Sequence, residues 1–130
     1  MLLKNLIKNI SKNKKDIFIS GLSTNSKNIK KNYIFFAIKG KKFNCEKFIK
    51  DAVYKGASVV VCSKNCKFRD KSTLIIKTKK VRHLLSELAS KFYKSKPKNI
   101  IAVTGTNGKT SVSDIFYQIL RINTISVASI

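Results

Sequence analysis

The sequence predicts an α/β fold in two parts, and three observations carry that prediction. Short β-branched runs alternate with helical stripes up to residue 96. The only proline, Pro97, then interrupts the alternation. After it come an apolar run, a glycine loop, an amphipathic stripe and a second apolar run, the order of a βαβ unit.

Taken in order, Met1–Ile10 spaces lysines among leucines and isoleucines, which predicts a short amphipathic helix. It lacks the continuous apolar stretch and small-residue cleavage site of a secretory signal. No run reaches the roughly 18–20 apolar residues of a membrane span. A cytoplasmic protein with no membrane partner is expected. Ile17–Ile19 and Tyr33–Ile38 read as strands, with the turn-prone Asn25–Asn28 between them. Glu46–Tyr54 reads as a helix ending near Gly56, and Ala57–Cys62 and Thr73–Ile76 as buried strands. Val81, Leu84, Leu85, Leu88, Ala89 and Phe92 recur at helical spacing and predict a core-facing helix, capped by Thr78. Pro97 is the expected boundary, giving domains over 1–97 and 98–130. Ile100–Val103 is the next expected strand, Val112, Ile115, Phe116, Ile119 and Leu120 the next helical face, and Ile125–Ile130 the last strand.

The 130 residues carry a formal charge of +22. Clustered cations would suggest nucleic-acid binding. Here they are spread along the chain, lysine far outnumbers arginine, and asparagine and isoleucine are abundant. Such a bias also follows from AT-rich coding, with solvated lysines on the surface. The field still attracts anionic nucleotides. Of the three cysteines, Cys62 and Cys66 are spaced for a metal, but His83 is the only histidine and no second cysteine pair exists. A tetrahedral zinc set is hard to assemble, and reduced thiols are expected.

The residues with the clearest chemistry are Thr104-Gly-Thr-Asn-Gly-Lys-Thr-Ser111. Glycines let a backbone turn tightly and bring N–H groups against phosphate oxygens. A following helix start adds unpaired N–H groups and partial positive charge. Gly105 and Gly108 supply the turn, Lys109 reaches the β- and γ-phosphates of ATP, and the Thr110 hydroxyl is a ligand for Mg²⁺. The general pattern G-x-x-x-x-G-K-[ST] fails at its first glycine, where Val103 stands.

Thr104–Thr110 resembles the ATP loop of the Mur ligases, which build the peptide of bacterial peptidoglycan. That family places its first glycine at the position of Gly105. Val81–Pro97, with its Phe92-Tyr93…Pro97 approach, resembles the third-residue-adding (MurE-type) branch, the UDP-N-acetylmuramoyl-dipeptide ligases. Thr24-Asn-Ser-Lys27 resembles the family's Asp-Ser-Arg turn, Tyr33–Gly40 its next strand, and Phe48…Val60 the helix and strand after that. Asn25 and Lys27 stand where Asp and Arg are usual, and Asn44-Cys45 where Asp-Gly is common.

The resemblance implies a small N-terminal α/β domain that binds the UDP substrate, over 1–97, followed by the first βαβ unit of a truncated P-loop ATP-binding domain, over 98–130. Gly105, Thr106, Asn107, Gly108, Lys109, Thr110 and Ser111 would bind ATP, with Lys109 and Thr110 catalytic and Thr110 on Mg²⁺. Thr24, Ser26, Lys41, Lys42 and Phe43 would hold the UDP part. The implied reaction adds diaminopimelate or lysine to UDP-N-acetylmuramoyl-L-alanyl-D-glutamate through an acyl phosphate, by a monomeric enzyme. Only Asp114 follows the loop among the six acidic residues. The chain is therefore expected to be an N-terminal piece of such a ligase, inactive alone. Rival readings are the terminal-dipeptide or folate polyglutamylating ligases, a basic nucleic-acid-binding protein, and a non-catalytic UDP-substrate module.

Overall fold

The computed structural model describes residues 1–7, 16–40 and 44–129. They form two compact units, Met1–Ser95 and Lys96–Ile130.

The first unit is built on a four-stranded sheet of β1 (Gly21–Ser23), β2 (Tyr33–Phe36), β3 (Ala57–Ser63) and β4 (Leu74–Thr78), in that spatial order. Every pairing is parallel. Parallel sheets need cover on both faces, and the β-branched runs supply it by alternation. Ile34, Phe36, Val59 and Val61 point into one cluster with Leu3, Leu6, Ile19, Val81 and Leu88. Phe35, Ala37, Val60 and Cys62 point into the other with Ile29, Ile49, Ala52 and Cys66. The first face is thus covered by α1 (Leu3–Leu6) and α3 (Val81–Phe92), and the second by the connections between strands, including α2 (Ile49–Tyr54).

The chain enters β2 and β3 through left-handed residues. Asn32 has φ +66° and Gly56 φ +99°. The Asn32 N–H donates to the Gly56 carbonyl at 2.9 Å, tying the two strand starts together. A Cβ on Gly56 would lie 3.0 Å from Lys31 Cα, so both the backbone angle and the space require glycine.

Several expectations need correction. Ile17–Ile19 is not a strand: Phe18 makes only an isolated antiparallel bridge to Leu2, and β1 begins at Gly21. β2 stops at Phe36 rather than Ile38. The helix expected over Glu46–Tyr54 is a 3₁₀ turn, Cys45–Phe48, followed by α2. Asn44 Oδ1 accepts from Glu46 N at 3.1 Å, and Glu46 Oε1 from Ser63 N at 3.1 Å. These two bonds fix the tighter turn against the end of β3. Thr78 does not cap α3; it is the last residue of β4, and its hydroxyl accepts from Lys80 N at 3.1 Å. Of the N-terminal helix, the described part is α1, and 8–15 lie outside the described residues.

Among the described residues of the second unit only the helix forms, α4 (Lys109–Ile122). Ile100–Val103 and 125–129 are not strands, so the expected βαβ unit is not seen. A helix satisfies its own backbone, whereas a strand exists only with a hydrogen-bonded neighbour. Neither segment has such a ladder among the described residues. Ile100 is 84% exposed and Ile122 81%.

Candidate functional site

The glycine loop precedes α4. Gly105 has φ +154° and Gly108 φ +75°, values that L side chains rarely adopt, and Gly108 is the residue before the first helical turn. The Val112 N–H donates to the Gly108 carbonyl, closing that turn at 2.9 Å. No side chain caps the helix start, so its leading N–H groups face outward, the arrangement that receives anions. Lys109 folds back over the loop: its Nζ donates to the Gly105 carbonyl at 2.5 Å and to the Thr106 carbonyl at 3.2 Å. All of Gly105–Ser111 is exposed.

For Mg²⁺, Thr110 offers one hydroxyl on the first turn. Among the described residues no three His, Cys, Asp or Glu side chains gather to hold a metal. One protein oxygen is still a fit for Mg²⁺, which keeps several waters and binds largely through substrate phosphates.

In the first unit, Thr24 and Ser26 follow β1 at its carboxyl end. Asn25 Oδ1 accepts from Lys27 N at 2.9 Å, so asparagine supplies the carbonyl oxygen that an aspartate would use in this turn. Ser26 is buried and Thr24 exposed. The Ser26 hydroxyl, and after it the Lys55 ammonium at 3.0 Å, hold the Asp51 carboxyl below its ordinary range. Ser26 thereby ties the 3₁₀ turn Ser26–Asn28 to α2. Lys41, Lys42 and Phe43 lie outside the described residues. Lys39 and Asn44 pair in a bridge just beyond the carboxyl end of β2, the neighbour of the strand that Thr24–Ser26 follow.

Two recesses among the described residues of this unit bear on the site. One, of about 520 Å³, lies beside β1 and is lined by Ser23, Lys27, Asn28, Lys30 and Tyr33 among others. The second, of about 370 Å³, lies at the carboxyl ends of β2–β4, with Lys39, Ser63, Lys79, Lys80, Arg82 and His83 in its wall. In the sequence this second group is marked only by Lys79-Lys80 at a strand-to-helix junction, hidden among many other lysines. The cysteines are free, and burial first, then the neighbouring Cys66 thiol, pushes the Cys62 thiol up to about 12. Such a thiol is inert at neutral pH. No helix among the described residues is long and apolar enough to cross a membrane.

The Mur ligase family, catalytic domain, matches residues 18–93. The chain belongs to the Mur ligase family. The match spans the parallel sheet and α3 and ends before the glycine loop. Among curated proteins, the chain is 46% identical over 114 residues to the UDP-N-acetylmuramoyl-L-alanyl-D-glutamate–2,6-diaminopimelate ligase of Rickettsia montanensis, covering 84% of this chain and 23% of that one. It is 40% identical over 118 residues to diaminopimelate ligase 2 of Clostridium acetobutylicum, covering 86% and 24%. The UDP-N-acetylmuramyl-tripeptide synthetase of Borrelia garinii subsp. bavariensis is 36% identical over 131 residues, covering 98% and 26%. The chain thus spans about a quarter of the length of the curated relatives it matches. Among solved structures, MurF ligase from Thermotoga maritima in complex with ADP superposes with a TM-score of 0.62 at 27% identity, covering 83% of this chain and 25% of that one. MurF from Acinetobacter baumannii, at 24% identity and a TM-score of 0.63 over 80% and 22% of the two chains, shares the fold.

Proposed function

We propose that this Mur ligase chain serves an ATP-dependent ligase of peptidoglycan precursor synthesis, of the third-residue-adding type. In this reading residues 1–97 bind the UDP substrate, and 98–130 begin the central ATP-binding domain. The observation that carries the proposal is the Gly105–Ser111 loop at the start of α4, carried on the same chain as a sheet that belongs to the family. Relatives named as diaminopimelate ligases support the branch and make diaminopimelate the favoured amine.

The chemistry follows from the loop. The N–H groups at the start of α4 would cradle phosphates, and Lys109 would leave the Gly105 carbonyl to offset charge on the transferring phosphoryl group. Thr110 would give one oxygen to Mg²⁺, which neutralises phosphate charge when bound. In the proposed reaction the substrate carboxylate attacks the γ-phosphorus, ADP leaves, and the amine displaces phosphate from the acyl phosphate to form the amide. Thr24 and Ser26, with Lys41, Lys42 and Phe43, would hold the UDP part. The enzyme would work as a cytoplasmic monomer.

Calorimetric titration of the 130-residue chain with Mg-ATP is expected to give binding that Lys109→Ala abolishes. Binding that survives this change overturns the assignment of the loop. Binding of RNA instead, with steep salt dependence, would favour the basic nucleic-acid reading. The same chain is expected to form no amide from ATP, amino acid and UDP-muramoyl-dipeptide, as followed by phosphate release and mass spectrometry.

A further inference from the structure

The turn after β1 is shaped by its own bonds. The Ser23 hydroxyl accepts from Asn25 N at 3.0 Å and donates to the Asn25 carbonyl at 2.9 Å, and Asn25 Oδ1 accepts from Lys27 N. These bonds set the form of Thr24–Lys27 and leave its direction open. Two side chains of α2 set the direction. The Asp51 carboxylate accepts from the Ser26 hydroxyl. The Lys55 ammonium donates to the Ser26 carbonyl at 3.4 Å and pairs with Asp51 at 3.0 Å. Ser26 is thus held at side chain and carbonyl by one ion pair on α2. The serine is 7% exposed, whereas the Asp51 and Lys55 side chains keep 41% and 35% of their surface in water. An ion pair so exposed adds little to stability by itself. Its distinctive contact is the buried serine.

An ionised carboxylate only accepts hydrogen bonds, so the one Ser26 proton is committed to Asp51. Without Asp51 the hydroxyl is free to turn among its staggered positions, and the turn loses its tie to α2. A binding group held in one geometry by supporting bonds costs less to order when the ligand arrives. We propose that Asp51 is a positioning residue for the nucleotide-binding turn, acting through Ser26, with Lys55 holding the pair in place. The proposal rests on the proposed assignment of Thr24 and Ser26 to the UDP part. It adds to that site a residue of α2, outside the turn itself.

The test is a double-mutant cycle, read by titrating the ¹⁵N-labelled chain with UDP and following the amides of Thr24–Asn28. Asp51→Ala and Ser26→Ala are each expected to weaken UDP about tenfold. In the Ser26→Ala background, Asp51→Ala is expected to cost nothing further, because its effect passes through the serine. A merely structural role of Asp51 would instead add in full. Asp51→Asn keeps one oxygen for the Ser26 hydroxyl and is expected to recover part of the loss. It also replaces the alanine variant in the cycle if urea unfolding shows that variant to be unfolded. Lys50→Gln, at an exposed position of the same helix, is expected to leave UDP affinity unchanged. Full affinity in Asp51→Ala, additive losses in the double variant, or equal weakening by Lys50→Gln would overturn the proposal. The ligase reading can fail separately. If UDP moves these amides and the cycle is non-additive while UDP-muramoyl-dipeptide does not bind, Asp51 keeps its role and that reading falls. If the dipeptide binds with these amides unmoved, the role of Asp51 falls and the reading stands.

Discussion

In the first unit Ile34–Phe36 and Val59–Cys62 are wholly buried between two layers, while in the second Val112, Ile115, Phe116 and Ile119 of α4 all remain exposed. Both stretches are apolar at regular spacing, and in sequence they look equally like core. The difference lies in partners. Each strand of the first unit gains a neighbour and a cover, so period-two alternation becomes two separate clusters. α4 needs no neighbour to complete its hydrogen bonds, and it forms with its apolar face uncovered. Periodicity reports which face wants burial, and only the rest of the fold decides whether burial happens.

The sharpest way to break this comparison is one large-to-small change in each unit. Phe36→Ala is expected to cost about 3–5 kcal/mol, and Ile115→Ala to stay within about 0.5 kcal/mol, both read by urea unfolding followed by circular dichroism. Equal costs would mean that α4 is packed in solution. A smaller effect probes the junctions inside the first unit. Gly56→Ala forces an L residue to φ +99° with its Cβ against Lys31, at an expected cost of about 1–2 kcal/mol, measured in the same way. Smallest is the contribution of Asp70. Hydrogen bonds from the Ser72 hydroxyl, then from Thr73, hold its carboxyl below the ordinary 3.8. A group depressed on folding lends stability that is complete above that ordinary value and lost as pH falls through the folded one. Thermal melting between about pH 5 and about pH 2.5 is therefore expected to show a shallower acid decline in Asp70→Asn, with Asp51 still contributing its share.

Much of the first unit was legible because its signals are local and redundant. The Ala57–Cys62 run, the Val81–Phe92 stripe and the Asn25–Asn28 turn each appear within a residue or two of their expected places. The two unpaired strand assignments share one cause. Ile17–Ile19 and Ile100–Val103 have strand composition, but pairing is a property of two segments, and composition describes only one. The loop at Gly105–Ser111 was readable because glycines at positive φ and a lysine at a helix start are local requirements. The cationic recess was not, since Lys39 and Arg82 become neighbours only when β2 and β4 flank β3.

The two faces of the sheet also differ in when the chain can complete them. One is covered by the connections, which leave the ribosome along with the strands they join. The other is covered by α1 and α3, from opposite ends of the unit, and Lys91 Nζ reaches the Leu6 carbonyl at 3.1 Å across a separation of 85 residues. Leu3 and Leu6 meet Ile19, Ile34 and Phe36 before Val81 and Leu88 of α3 can join them, so this face is the last part of the first unit whose burial can be completed as the chain is made.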